Sequence, residues 1–420
     1  MNTDCIHTGD AFEVLPELPA ESVHAVVTDP PYGLAFMGRD WDDFEPKEYQ
    51  EWCQEWAREV KRVLKPGGHL LAFSGNRTHH RLFTGVEDAG FEIRDTLTWH
   101  YGSGFPKAAD VGKTIDKRAG AEREVVGEKT TPDGKPYSER KKQFQTSGSN
   151  EGYKRPSDDD ARNELTAPAT PEAEKWDGWK TGLKPATEYI VMARKPFDGA
   201  TVDCVQKHGT GALNIEATRI EGEVKDFEND SGDAETCYAD GLHGSTQNGT
   251  RDGRYPSNVV FDELAAEGLD AEVGDKPSCD PHELSDKGER NVYSDDEQQT
   301  RQVGYDDSGG PSRYFYTSKA DKSERTEDGK IENAHPTVKP QDLMEWLVKM
   351  VTRETQIVLD PFAGSGTTCK AAKALNREFV GIEKQAKWAD VARVRCNLTP
   401  EDPSVVRDDG EQHGLESFTD

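Results

Sequence analysis

The chain lacks most of what marks a secreted, membrane or metal-bound protein. No apolar run approaches the length of a bilayer span. Only 33% of its 420 residues are hydrophobic, and the mean hydropathy is -0.87. The opening residues, MNTDCIH from Met1 to His7, have neither a basic start nor an apolar segment, which argues against secretion and for a cytoplasmic protein. The seven cysteines (Cys5, Cys53, Cys204, Cys237, Cys279, Cys369 and Cys396) are scattered and odd in number, without a C-x-x-C pair. That argues against a zinc or disulfide framework and fits reduced thiols. The histidines, His79-His80 included, fall at no ligand spacing, so no metal is expected. Basic residues are scarce as well. Fifty-two Lys and Arg stand against 80 Asp and Glu, a net charge of -28 and the wrong sign for a nucleic-acid binder.

That acidity resembles the proteome of a salt-loving organism. At molar salt the Debye length is about 3 Å, so repulsion between an acidic surface and phosphate is largely screened. The same salt removes most of the counterion-release contribution to nucleic-acid affinity. Binding to nucleic acid would then lean on base contacts more than on a basic face. The charge is also uneven. Residues 101–155 hold 12 Lys/Arg against 8 Asp/Glu, whereas residues 221–310 hold 7 against 24. If any part faces phosphate, the first of these is the better candidate, through Lys107, Lys113, Lys117, Arg118, Arg140, Lys141 and Lys142. Pairing with nearby acids on a solvated face is the competing reading.

What is present is an α/β rhythm at both ends. Ala25 to Asp29 reads as a short buried strand, preceded by a turn and helix through Leu15 and Leu18. Trp52, Trp56, Val60, Val63 and Leu64 fall at helical spacing within Glu48–Leu64, and Lys65-Pro66-Gly67-Gly68 ends that helix. His69–Phe73 reads as a strand, Arg77–Ala89 as a helix and Phe91–Trp99 as a strand. This alternation predicts a parallel sheet. From about Tyr101 to Leu183 the chain is polar and rich in Gly, Pro and Ser. EYIVMAR, Glu188 to Arg194, then reads as an antiparallel partner of the strand ending at Trp99, and residues 197–320 form a second insertion. The rhythm returns with helix Gln341–Thr352, strand Gln356–Asp360, helix Thr367–Leu375, strand Glu378–Glu383 and helix Ala386–Cys396. The tail, 399–420, carries seven acids and one arginine and is expected to be disordered.

Two strings carry the chemistry. TDPPYG, Thr28 to Gly33, puts a carboxylate, two prolines and an aromatic ring at the end of a predicted strand, where open α/β sheets bind ligands. IVLDPFAGSGTT, Ile357 to Thr368, feeds a strand through a G-x-G turn into a helix, and glycines let backbone approach a ligand closely. Glu383 ends the next strand nineteen positions after Gly364, where a carboxylate can bind two ribose hydroxyls. No Gly-Lys-Ser or Gly-Lys-Thr follows the glycine turn, which argues against a phosphate-binding Walker loop.

Together the strings resemble the motifs of the amino-methyltransferases that act on DNA with S-adenosylmethionine. Their order, DPPY first and the glycine loop last, resembles the beta group of N6-adenine and N4-cytosine enzymes. The fold this implies is α/β: a Rossmann-like class I methyltransferase sheet, circularly permuted, with long insertions. By resemblance, residues 1–101 form the catalytic half and 321–398 the cofactor half. Residues 102–320 hold the insertions and the target-recognition region, with a core strand near 188–195. In the first string, Asp29 would accept a hydrogen bond from the exocyclic amine and Pro30 would offer its carbonyl. Pro31 would stiffen the turn without a competing N–H donor, and Tyr32 would stack on an extruded base. Asp360, Phe362, Gly364, Ser365, Gly366, Thr367 and Glu383 would contact the cofactor, with Asp10 near its adenine on a strand beside that of Glu383. HPTVKP, His335 to Pro340, resembles the segment that precedes the cofactor loop in this group and makes Thr337 and Lys339 contacts or supports.

KPATEY (Lys184 to Tyr189), GTGALNI (Gly209 to Ile215), RYPSNV (Arg254 to Val259) and RYFY (Arg313 to Tyr316) resemble strings of a phage- and archaea-associated branch. The partner implied is double-stranded DNA, with a cognate restriction enzyme and a homodimer as further expectations. Asp at the head of the motif favours adenine N6, whereas Ser there favours cytosine N4. RNA and protein-glutamine methyltransferases share DPPY-like chemistry but place the cofactor loop first. A catalytically dead fold that only binds DNA would not need the intact Asp29, Tyr32, Gly364 and Glu383. DSGGP, Asp307 to Pro311, resembles a serine-protease string, yet no histidine partner motif accompanies it, and it reads as a loop turn.

Overall fold

Apolar β-branched runs at both ends of the chain meet in one mixed sheet. The computed structural model describes residues 1–34, 44–102, 104, 108–130, 164–222, 225–227, 249–251, 253–277, 307–319, 323–324, 326–327, 329–331, 333, 335 and 338–406. The sheet strands are β1 (Cys5–Thr8), β2 (Val23–Thr28), β3 (Leu64–Ser74), β4 (Glu92–His100), β5 (Thr187–Arg194), β6 (Val259–Asp262), β7 (Tyr316–Ser318), β8 (Ile357–Asp360) and β9 (Glu378–Glu383). They lie in the order β1-β9-β8-β2-β3-β5-β4-β6-β7. Every neighbouring pair is parallel except those of β5, which runs antiparallel to β3 and β4. EYIVMAR thus lies where its pattern placed it, with Glu188 opposite Trp99.

Side chains alternate between two cores across this sheet. Ala25, Val27, Leu71, Phe73, Ile190 and Met192 face one side, packed with helices Gln341–Val351, Thr367–Ala374 and Ala386–Arg395. Val26, Leu70, Ala72, Val191 and Ala193 face the other, against helices Pro46–Val63 and His79–Asp88. Helix Pro46–Val63 shows why its sequence folds this way. Tyr49, Cys53, Trp56, Ala57, Val60 and Val63 fall on one buried stripe, Pro46 opens the helix, and Glu45 and Glu48 close a capping box.

The insertions differ from expectation. Residues 197–320 do more than project from the core: they supply β6 and β7, the far edge of the sheet. Among the described residues they also hold helix Thr201–His208, helix Glu263–Val273 and two short ladders, Lys225–Phe227 with Gly249–Arg251 and Lys276–Pro277 with Ser308–Gly309. The polar first insertion falls in a separate compact unit, residues 103–186 with 332–336. It contains helix Val111–Ala119, helix Pro171–Lys175 and a ladder of Val125–Glu128 with Glu164–Thr166. Periodicity missed these elements because a polar hub organises them. Buried Asp116 accepts hydrogen bonds from Ala169 N (3.0 Å), Thr170 N (3.1 Å), Thr170 Oγ1 (2.7 Å) and Arg123 Nη1 (2.7 Å). Against the penalty of burial, these donors hold its carboxyl below the usual range.

Candidate active site

The first string leaves β2 at the carboxyl edge of the parallel strands, and the turn it makes is enforced by its neighbours. Gly33 adopts φ +65°, and a Cβ there would lie 2.6 Å from the Tyr49 ring. The Tyr49 hydroxyl donates to Pro31 O at 2.9 Å. Pro30 is buried and Pro31 half-buried. Asp29 and Tyr32 then face a buried lysine from the other end of the chain. Lys339 Nζ lies 2.6 Å from Asp29 Oδ2, 3.2 Å from the Tyr32 hydroxyl and 3.4 Å from Glu188 Oε2. The Tyr32 hydroxyl is 2.8 Å from Asp29 Oδ1 and 2.9 Å from Glu188 Oε2. Lys339 also sits over the faces of Phe73 (5.0 Å) and Tyr32 (5.5 Å). Burial opposes its charge, but Asp29 and Glu188 outweigh that and raise its pKa. Burial, helped by the same two carboxylates, pushes the Tyr32 phenol well above its ordinary value, so it stays protonated.

The second string lies beside the first. Asp360 ends β8, the neighbour of β2, and Thr28 Oγ1 donates to Asp360 Oδ1 at 2.6 Å. Phe362 N donates to the same oxygen at 3.1 Å. Gly364 and Gly366 have φ of +53° and +81°, and a Cβ on Gly366 would lie 2.7 Å from Ala392 Cβ. Ser365 and Thr367 are buried. Arg395, with no exposed side-chain surface, donates to Ser365 O (2.8 Å), Ser365 Oγ (3.1 Å) and Thr367 Oγ1 (3.0 Å). Phe362 packs against Trp52 and Trp56. Glu383 ends β9, where Gly364 N and Gln385 N each bind one of its oxygens, at 2.9 and 2.7 Å. Burial raises its pKa although those amides favour the charge. Thr8 lies opposite Glu383 in register, and Asp10 follows two residues later, paired with Lys384 at 2.9 Å.

A family model described as DNA methylase, of the N6/N4 methyltransferases, matches residues 23–393, most of the chain. The chain belongs to the N6/N4 DNA methylase family. It is therefore a DNA methyltransferase, and its methyl donor is S-adenosylmethionine. Type II methyltransferase M.HindIII of Haemophilus influenzae is 24% identical over 94% of this chain and 96% of its own length. Type II methyltransferase M.HinfI, also of Haemophilus influenzae, is 40% identical, over 20% of this chain and 23% of its own. Among solved structures, the PvuII DNA methyltransferase (cytosine-N4-specific) is similar at 15% identity and a TM-score of 0.44, over 93% of this chain and 85% of its own. TTHA0409 of Thermus thermophilus, solved in complex with S-adenosyl-L-methionine, gives 18% identity and a TM-score of 0.38, over 93% of this chain and 92% of its own.

The residues present suit the methylase donor. Glu383 places a carboxylate at the carboxyl end of β9; Asp10, expected on the neighbouring strand, lies two residues past the end of β1, where it caps helix Ala11–Val14. Each Glu383 oxygen holds one amide and keeps a lone pair for a ribose hydroxyl, and the glycine turn presents no Cβ at 364 or 366. The candidate site also contains residues that sequence reasoning missed. Glu188 stood in KPATEY without a role. The available signal was its place at the start of an antiparallel strand, because that end lies at the carboxyl edge of the parallel ones. Thr28, Tyr49, Phe73 and Arg395 carried no comparable signal. Lys113, Lys117 and Arg118 are all exposed on helix Val111–Ala119, whereas Lys107, Arg140, Lys141, Lys142 and Thr337 lie outside the described residues. The other quoted strings hold the framework together. Thr210 Oγ1 donates to Pro66 O, Asn214 N to Met350 O, and Arg254 and Arg313 both pair with Asp307. Asp307 of DSGGP is thereby engaged, and Ser308 sits exposed in its two-residue ladder.

Proposed function

We propose that this methylase transfers a methyl group to the N6 amine of an adenine flipped out of duplex DNA, and that it is a permuted, beta-group enzyme. The observation that carries the reading is the junction of the two strings. Asp29 and Tyr32 stand at the edge of β2, and the glycine loop stands at the edge of β8, one strand away and tied to it through Thr28 and Asp360. The bound donor supplies an electrophilic methyl on a sulfonium centre. The chain supplies the rest. The amine lone pair is delocalised into the base, so Asp29 and the Pro30 carbonyl accept its two N–H bonds and favour a more tetrahedral nitrogen. Tyr32 stacks on the extruded base, its ring fixed by the bonds its hydroxyl makes. Asp29 is also placed to accept the proton the amine loses.

Asp10, Asp360, Phe362, Gly364, Ser365, Gly366, Thr367 and Glu383 form the donor's cradle in this reading, with Thr337 and Lys339 beside it. Lys113, Lys117 and Arg118, with Lys107, Arg140, Lys141 and Lys142, face DNA phosphate. The acid excess suits a cytoplasm rich in salt. A cognate restriction enzyme and a homodimer are consistent with the reading and follow from resemblance alone. Replacing Asp29 with Ala tests the core of it. Donor affinity, measured by calorimetric titration, should survive, and transfer of labelled methyl to unmodified genomic DNA at high salt should collapse. Retained transfer overturns the role of Asp29. Mass spectrometry of digested product DNA reads the base: N4-methylcytosine instead of N6-methyladenine overturns the adenine assignment.

A further inference from the structure

The Tyr32 hydroxyl has one proton and three charged neighbours. It lies 2.8 Å from Asp29 Oδ1, 2.9 Å from Glu188 Oε2 and 3.2 Å from Lys339 Nζ. It accepts from the ammonium, which leaves its proton for one carboxylate at a time. The two carboxylates compete on nearly equal terms, because their distances to the hydroxyl differ by a tenth of an ångström and their side chains are 17% and 19% exposed. Asp29 is also occupied at its other oxygen by Lys339, at 2.6 Å. A base amine arriving at Asp29 therefore meets a carboxylate with a donor on each oxygen. A phenol proton that lost Asp29 and found no other acceptor would be left buried and unpaired, which is costly.

We infer that Glu188 is a positioning residue for the methyl transfer: it takes the Tyr32 hydroxyl bond, and draws on Lys339, when Asp29 turns to the base amine. The Tyr32 ring need not move for this, because rotation about the C–O bond alone redirects the proton. The stacking face stays in place while the acceptor is freed. No bond is made or broken at Glu188, and only a hydrogen bond changes partner. Topology makes the arrangement available: β5 runs antiparallel to β3, with Ser74 opposite Tyr189, so Glu188 lies just beyond the end of β3, on the edge where the DPPY turn begins.

The inference rests on the proposed role of Asp29, and its test separates the two. Glu188→Met removes the acceptor at similar length, and Glu188→Ala serves as a second truncation should the Met variant not fold. Both are compared with Glu188→Gln, which restores an acceptor oxygen without the charge. Methyl transfer to unmodified genomic DNA is followed at high salt. The truncations should lower kcat about tenfold, the scale of one lost hydrogen bond to a charged group, with KM for DNA and donor affinity within about twofold of the parent. Glu188→Gln should recover most of that loss. In a Tyr32→Phe background, with no hydroxyl to redirect, truncation should lower kcat by only about twofold. Parental kcat in a folded truncation, or equal losses in both backgrounds, overturns the inference. So does a loss confined to KM. Asp29→Ala is run in parallel. If it retains transfer, the role of Asp29 fails and the inference fails with it. If it is inactive while the truncations keep parental kcat, only the role of Glu188 fails.

Discussion

Asp360 joins the two strings, and it does so at a price in stability that can be read as a function of pH. Its side chain is buried, 3% of the residue being exposed, and burial raises its carboxyl from 3.8 to about 6 although Thr28, Thr368 and Phe362 N all favour the charge; nearby Asp29 adds to the rise. A carboxyl whose folded value lies above its unfolded one stabilises the native state most fully when both states are protonated, below about pH 3.8. Stability then falls as pH rises toward 6, because the unfolded chain ionises while the folded one does not. At about 1.4 kcal/mol per unit, the full penalty at neutral pH is about 3 kcal/mol. About 2 kcal/mol of it develops between pH 4.5 and 7.5. Asp360→Asn keeps an oxygen that can accept from Thr28 and Phe362 N and carries no charge at any pH. Its stability relative to the parent should therefore rise by about 2 kcal/mol across that interval. Urea unfolding followed by tryptophan fluorescence supplies the measurement. Burial lowers His24 and His69 to about 4 each, with neighbouring cations adding to the effect, so both proteins lose stability as pH falls below 6.5. That loss cancels in the difference. A difference that stays flat with pH would refute the argument.

Two further predictions concern the loop and the basic helix, beside those already given for Asp29 and Glu188. Gly366→Ala places a Cβ at φ +81° and 2.7 Å from Ala392 Cβ, so it should lower stability by about 1–3 kcal/mol and weaken donor binding; an unchanged urea midpoint would contradict the packing described. Replacing Lys113, Lys117 and Arg118 with Gln should flatten the dependence of log DNA affinity on log salt by about 0.9 for each phosphate these side chains neutralise. An unchanged slope would remove this helix from the DNA interface.

Much of the sheet is legible in the sequence because its central strands are buried on both faces and read as short apolar runs between glycine and proline signals. Predicted and observed bounds for the helix beginning at Gln341 differ by one residue, and those of Glu378–Glu383 not at all. What escapes notice is held by polar contacts or by distance along the chain. β6 and β7 are strands of four and three residues in a polar insertion, too short to show alternation. The unit around Asp116 has a carboxylate where a periodic pattern would need an apolar stripe. The cluster at the site unites residues 29, 32, 188 and 339, and Lys339 lies 310 positions from Asp29. DPPY marks one corner of that cluster, but nothing local to Glu188 or Lys339 announces that they meet there.

The strand order has a consequence for how the protein is made. β8 lies between β2 and β9, so the edge that β2 offers at Ala25 and Val26 waits for Val358 and Leu359, more than 300 residues later. At about 5–20 residues per second, synthesis leaves that apolar edge without its partner for tens of seconds. The nascent chain passes through this interval with an open sheet and two long polar segments to close, the circumstances in which parallel pairing is slow and exposed edges associate with other chains. Yield from a heterologous host should accordingly depend on translation speed and chaperone supply more than on the stability of the finished fold.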